Sequence, residues 1–479
     1  MSDAANSPTA TRPNGVLAVL LLAGLSFALS QTLVVPALPS FSTEYSASAT
    51  ASSWLLTGFL LSASVATPIV GKLGDQFGKG RVLTAVLVLF STGSVVCALA
   101  DSIGVVIAGR VIQGVAGGVF PLAFGIIRDT FPRERVPAAI GLLSAVFGIG
   151  GGIGLPLSGV IVDNVDVSWL FWVGLIGLPA ALAAHRLVPA SPAVVRTRID
   201  WLGAALLSVA LAGLLLGVTE SNRLGWTSPV TLGLLVGGVV MLGVWTLQQS
   251  RTEQPLIELA LLRRRTVAAT NLTGLLVGFA MFSSFLLIPQ FAQAGQDTGY
   301  GFGLSVTNAG LLLVPMAAAQ LVAGPLAGRI GSAIGFRLTL AMGAGFATLA
   351  FVMLALEHSH PWHFAVGGVL LGAGISFALA SMANLIVDSV PQSTVGIATG
   401  INTVTRTVGG AFGSAAATAI LAAQTIGSSP IPSEGAYTTA FVISAVGGLL
   451  AVAAALSIPP RARARAEVSF DAEASPAPG

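Results

Sequence analysis

Fourteen apolar stretches of about 20 residues, separated by short polar breaks, dominate this 479-residue chain. They fall near 16–38, 53–71, 81–100, 104–127, 136–160, 168–188, 201–219, 229–248, 267–293, 304–328, 337–356, 362–386, 396–424 and 437–458. Each is long enough to cross a bilayer as a helix. Lipid offers the backbone no hydrogen-bond partners, so each stretch is expected to be helical throughout. The chain is 54% hydrophobic and 9% charged, against about 25% charged for a soluble domain. That excludes a soluble fold. The single cysteine, Cys97, cannot form an internal disulfide. No Gly-x-x-x-x-Gly-Lys-Ser/Thr phosphate loop is present. No compact nucleophile–base motif appears, and nothing points to nucleic acid, a metal or another cofactor.

Basic residues set the orientation. Loops after the even-numbered stretches carry Lys72, Lys79 and Arg81; Arg128, Arg133 and Arg135; Arg186, Arg196 and Arg198; Arg251 and Arg263 to Arg265; and Arg329 and Arg337. Arg461, Arg463 and Arg465 follow the last stretch. The opposite loops carry Glu44, Asp101, Asp163, Asp166, Glu220, Asp297, Glu357 and Glu434, with Arg223 their one basic residue. Positive loops stay inside, so both termini are expected in the cytoplasm of a cell with this protein in its inner or plasma membrane. The first apolar run is too long for a signal-peptide core and is read as a retained helix.

An internal repeat divides the chain. Pro68, Gly71, Lys72, Leu73, Gly74 and Gly78 recur as Pro325, Gly328, Arg329, Ile330, Gly331 and Gly335, an offset of 257. Asp129, Pro132, Val136, Ala139, Gly141, Gly150, Gly151 and Gly154 recur as Asp388, Pro391, Val395, Ala398, Gly400, Gly409, Gly410 and Gly413, an offset of 259. Two nearly equal offsets predict two six-helix halves repeated in the same orientation. The predicted plan is a tail at 1–14, a six-helix bundle at 15–190, two linking helices within 191–262, a second bundle at 263–458 and a tail at 459–479.

Four motifs then carry a family resemblance that covers about residues 15–460. Gly71-x-Leu-Gly-Asp75-x-x-Gly78-x-x-Arg81, Arg110-Val-Ile-Gln113-Gly114-Val-Ala-Gly117, Gly150-Gly-Gly-Ile-Gly154-Leu-Pro156-Leu-Ser-Gly159 and Thr32-Leu-Val-Val-Pro-Ala-Leu-Pro39 resemble motifs of the major facilitator superfamily, in particular of its fourteen-helix drug:proton antiporters. The resemblance implies an all-α membrane fold of two six-helix bundles plus two linking helices. It also implies alternating access and proton-coupled efflux of small amphipathic compounds by a monomer. The chain departs from the pattern twice. Ser30 stands where these antiporters usually carry a helix-1 aspartate, and Leu155 separates Gly154 from Pro156.

The resemblance makes Gly71, Lys72, Gly74, Asp75, Gly78 and Arg81 a candidate conformational latch. The second copy has Ser332 at the position of Asp75, so the latch is expected to be asymmetric. Arg110 and Arg406 fall inside apolar runs, where an arginine needs a partner or a wet cavity. Arg110 reads as proton coupling with a peripheral carboxylate such as Asp163, or as a side chain snorkelling to the interface. Arg406 reads as an anchor for an anionic group, or as a structural donor to backbone carbonyls. Gly150, Gly154, Pro156 and Gly159 read as a hinge or seal, or as plain small-residue packing. Gln31, Trp54, Gln113, Phe282, Gln290 and Asn402 are candidates for a substrate cavity. His358, His360 and His363 beside Glu357 read as a polar loop in preference to a metal site. Two alternatives stay open: a transporter of a defined metabolite or anion, and a membrane-embedded transferase.

Overall fold

The computed structural model describes residues 13–189, 200–426, 429 and 431–460. Arg196, Arg198 and the basic residues after 460 lie outside the described residues, as does most of both predicted tails. Fourteen long helices follow one another: α1 Pro13–Leu38, α2 Ala49–Phe77, α3 Lys79–Ala98, α4 Ile103–Thr130, α5 Val136–Asn164, α6 Trp169–Leu187, α7 Trp201–Leu224, α8 Pro229–Arg251, α9 Arg265–Gln293, α10 Thr307–Ile334, α11 Phe336–Leu356, α12 Pro361–Ser389, α13 Val395–Ala423 and α14 Glu434–Leu456. Thirteen of them are long and apolar enough to cross a membrane. The other, α13, has 29 residues and therefore ample length, but it is more polar, with Thr399, Asn402, Thr403 and Arg406 along it.

Four helices are interrupted, each at carbonyls that a proline leaves without their usual donor. Leu33 breaks α1 ahead of Pro36, and Val115–Gly118 is a 3₁₀ turn ahead of Pro121 in α4. Val173–Ile176 precedes Pro179 in α6, and Leu312 and Leu313 precede Pro315 in α10. A proline removes the bond to the residue four before it and crowds that carbonyl, so the chain tightens or turns there. Pro68, Pro156, Pro289 and Pro325 instead sit within continuous helix.

The basic segment after the second apolar run is not the loop its composition predicts. Helix α2 continues through Lys72 and Asp75 to Phe77, and Gly78 alone makes the turn into α3. Backbone hydrogen bonds carry a helix past the end of its apolar face. Gly78 has φ 95° and its repeat mate Gly335 has φ 98°, a conformation that disfavours any side chain. The repeat is therefore visible in the backbone as well as in the sequence.

The two halves, α1–α6 and α9–α14, meet through α2, α4 and α5 on one side and α10, α12 and α13 on the other. The closest approaches obey the repeat. A Cβ on Gly71 of α2 would lie 2.6 Å from the Gly396 carbonyl oxygen of α13. The equivalent position, Gly328 of α10, abuts the Pro137 carbonyl of α5 in the same way. Gly141 of α5 abuts Gly324 of α10, and its equivalent Gly400 of α13 faces Thr67 of α2, 3.3 Å away. All four contacts lie toward the basic side.

Helices α7 and α8 pack on each other, and α7 lies along the α2–α13 seam. Asp200 caps α7, accepting from the Gly203 N–H at 2.8 Å and the Gln249 amide at 2.6 Å. Burial opposes ionisation of Asp200, but the Gly203 N–H and the Gln248 and Gln249 amides outweigh it and hold the carboxyl below its usual range. Much of α8 is uncovered by protein, with Val236, Val239 and Val240 exposed, as suits a lipid-facing surface.

Gly71→Ala is expected to wedge α2 from α13 at the basic side. Spin labels at Arg81 and Arg329, both exposed there, should show a longer-distance population by double electron–electron resonance. An unchanged distance distribution would mean that this approach does not limit how closely the halves meet.

Candidate transport site

The latch residues gather where α2 meets the first turn of α13. Asp75 is buried, and a Cβ on Gly396 would lie 3.1 Å from both its carboxylate oxygens. The carboxylate thus faces the N-terminal end of a 29-residue helix, where the helix dipole favours negative charge. Lys79 lies 3.7 Å from Asp75 and 2.8 Å from Asp129, all three nearly excluded from solvent. Across the seam, Gln392 donates to Asp129 at 2.7 Å, and Arg128 donates to the Val390 carbonyl at 3.0 Å. Gly71 and Gly74 are buried in this contact, Lys72 is half-buried, and Arg81 is exposed outside it. The sequence marked Lys72, Lys79 and Arg81 alike, and of these three Lys79 alone is buried. Asp129 and Gln392 join the cluster only through the fold. Ser332, in the second copy, donates to the Gly328 carbonyl of its own helix.

Arg110 is fully buried in the first half. Its Nε donates to the Leu55 carbonyl at 2.9 Å, and one terminal nitrogen donates to the Ser30 carbonyl at 3.0 Å and to Gln113 Oε1 at 2.8 Å. Gln113 in turn donates to Ser94 at 2.8 Å. The guanidinium stacks 4.1 Å from the Phe59 ring centre. These bonds exclude snorkelling. Asp163 is exposed and accepts from Thr307 of α10 at 3.3 Å, across the seam between the halves. Among the described residues, no carboxylate pairs with Arg110.

Arg406 differs in kind. It is 8% exposed, and among the described residues its side chain has neither a hydrogen bond nor an ion pair. Its charge sits 4.8 Å from the centre of the Phe147 ring, on α5 of the other half. Phe147 packs at 4.5 Å on Phe120 and 6.1 Å on Phe27, and Phe27 stacks at 5.5 Å on Phe59. Such ring contacts each contribute about 1 kcal/mol. A chain of rings therefore runs from Arg110 to Arg406 across the interface.

Beside Arg406 lies a small cavity with room for about one water. Phe120, Phe124, Ser144 and Phe147 line it from the first half, and Thr399, Asn402, Thr403 and Arg406 from the second. Of the cavity candidates, Asn402 lines it and donates to Asn271 at 3.1 Å. Gln113 is held by Arg110, Phe282 pairs with Phe285 and packs on Gly410, Gln31 and Trp54 are half-buried, and Gln290 is exposed. The spacing of Thr399, Asn402, Thr403 and Arg406 marks one face of a helix and was the readable signal for this wall. Helix α5 runs unbroken through Pro156. Gly150 and Gly154 pack on Ala28 and Thr32 of α1, while Gly159 packs on Thr307 of α10. Among the described residues, no three metal-ligating side chains cluster. His358 instead meets Glu434 at 3.2 Å.

This two-half architecture matches known proteins. The Major Facilitator Superfamily profile matches residues 20–301 and 271–478. The chain belongs to the Major Facilitator Superfamily. It is 30% identical over 441 residues to an MFS-type transporter of Mycobacterium tuberculosis, covering 88% of this chain and 62% of that protein. The chain thus spans less than two thirds of that relative. It is 28% identical over 425 residues to the tetracenomycin C resistance and export protein of Streptomyces glaucescens, covering 86% of this chain and 77% of that one. It is 30% identical over 399 residues to the multidrug resistance protein Stp of M. tuberculosis, covering 82% and 73%. The human organic anion transporter MFSD10 shares the fold, with a TM-score of 0.63 at 18% identity, over 93% of this chain and 99% of that structure. The described residues thus form a multi-span helical fold of that superfamily, and the transferase alternative gains no support from these relatives.

Arg110 and Arg406 should respond differently to truncation. Arg110→Ala strands the Gln113 carbonyl oxygen and two backbone acceptors, at a cost of about 2 kcal/mol or more. The thermal midpoint of the purified protein should fall clearly further for Arg110→Ala than for Arg406→Ala. Equal falls would refute the division into a bonded and an unbonded arginine.

Proposed function

We propose that this protein is a secondary active exporter of small amphipathic compounds, exchanging them for protons by alternating access. It would sit in the cell membrane as a monomer, with its basic side and both termini cytoplasmic. The observation that carries the reading is the cavity itself: it lies between the halves, and its walls are rings and small polar groups from both. An aromatic, mostly apolar pocket with a few polar groups suits amphipathic ligands. Rocking the halves about their glycine contacts would open it to either side in turn. The resistance and export functions named for relatives at 28–30% identity point the same way.

The proposed proton site is the Asp75–Lys79–Asp129 cluster. Two carboxylates share one lysine there, and Arg128 interacts with both Asp388 and Asp129. Protonating either carboxylate would remove an attraction that holds α2 and α4 to α13, so inner opening and proton uptake would be linked.

Everted membrane vesicles from cells expressing the protein should accumulate a fluorescent amphiphile when their interior is acidified, and collapse of the pH gradient should abolish accumulation. Asp75→Asn should lower the rate by about tenfold or more. Accumulation that is indifferent to the gradient would remove proton exchange from this reading.

A further inference from the structure

We infer that the compounds moved by this protein carry an anionic group, and that Arg406 receives it. The inference rests on the export reading above and specifies its substrate class. An arginine held away from water in a membrane protein costs several kcal/mol unless something compensates it. For Arg110 the compensation is visible, in three hydrogen bonds and a ring. Arg406 has the Phe147 ring alone, although it is more than nine-tenths buried. Its N–H groups keep their full bonding capacity, and they border the cavity between the halves.

The rest of the wall agrees in sign. Among the described residues no carboxylate lines the cavity, so a cationic compound would find a fixed positive charge and no counter-ion there. The hydroxyls of Thr399 and Thr403 donate to the carbonyls of their own helix at 2.7 and 3.0 Å and carry no formal charge, so Arg406 is the one charged group among the residues that line the cavity. A planar guanidinium presents paired donors that match the two oxygens of a carboxylate or sulfonate. Phe120, Phe124 and Phe147 offer faces and edges to an aromatic body attached to it.

Arg406 and Phe147 belong to opposite halves. An anion that engages the guanidinium draws charge away from the ring and weakens a contact that joins the halves. Binding at this point therefore bears directly on the rocking motion, because the ligand interacts differently with the joined and parted arrangements.

The test uses the full-length protein in lipid nanodiscs and two-ring aromatic carboxylates, naphthoate and biphenyl carboxylate, each paired with its methyl ester. Dissociation constants are measured by thermal shift for wild type, Arg406→Gln and Arg406→Lys. Wild type should bind each carboxylate at least about tenfold more tightly than its ester, the scale of a charge-assisted hydrogen bond. Arg406→Gln should erase the difference within each pair, and Arg406→Lys should keep part of it. The wild-type comparison stands even if the glutamine variant does not fold. Equal or tighter binding of the esters by wild type, or a preference that survives in Arg406→Gln, overturns the inference. Vesicle transport separates the two readings. Export of esters without carboxylates overturns the anionic class and leaves export standing, while movement of neither class overturns both.

Discussion

The backbone-to-backbone approach of the two halves is the constraint on which the rest depends. At Gly71 against Gly396, and at Gly328 against Pro137, a single added carbon has no room. Contacts this close bring α2 onto the N-terminal turn of α13, and only at that distance does the Asp75 carboxylate face the helix end. The same closeness brings Gln392 to Asp129 and Arg128 to the Val390 carbonyl. The polar cluster is thus a consequence of the small residues. In lipid, where apolar burial drives helix association weakly, such tight packing is what holds bundles together.

The two membrane arginines show how differently one residue type can be settled. Arg110 is largely held by its surroundings: Leu55, Ser30 and Gln113 accept from Nε and one terminal nitrogen, Phe59 covers its face, and only the second terminal nitrogen is without a partner. Ser30 contributes its backbone carbonyl, which any residue would supply, so the serine side chain does not take over the role of a helix-1 carboxylate. Arg406 has been left with unspent donors at the surface between the two halves. A buried polar group held by several partners specifies structure. One with capacity to spare, at the seam of two bodies, has the attributes of a binding group.

Much of the fold was legible because lipid leaves the backbone few choices. Apolar run length was enough to place the long helices, thirteen of which among the described residues are long and apolar enough to cross a membrane, and two offsets near 258 were enough to pair Gly78 with Gly335, whose unusual φ values agree. Helix ends were less legible, since α2 continues six residues beyond Gly71 on hydrogen bonding alone. The site was half legible. Asn402 and Arg406 stood out as polar residues in an apolar run. Phe147 did not, because a phenylalanine among leucines and valines carries no mark of which partner it will meet. The surroundings of Asp163 were not legible for a related reason: only the packing of α5 on α10 shows that it meets Thr307.

The asymmetry of the repeat gains meaning from α13. Both seams have the close glycine contacts, but among the described residues the latch carboxylate is buried at the α2–α13 seam and has Ser332 as its counterpart at α5–α10. Charge can therefore bias opening at that seam and not at α5–α10. Helix α13 begins under Asp75 at Gly396 and reaches Arg406 ten residues later, about 15 Å along a single rigid element. Displacement of its first turn must be felt at the cavity wall, and a ligand pulling on Arg406 must be felt at the latch. Two groups on one helix need no longer pathway to be coupled. That placement of the proposed latch and the proposed binding cation on one shared helix is the physical basis for treating them as two ends of one proposed switch.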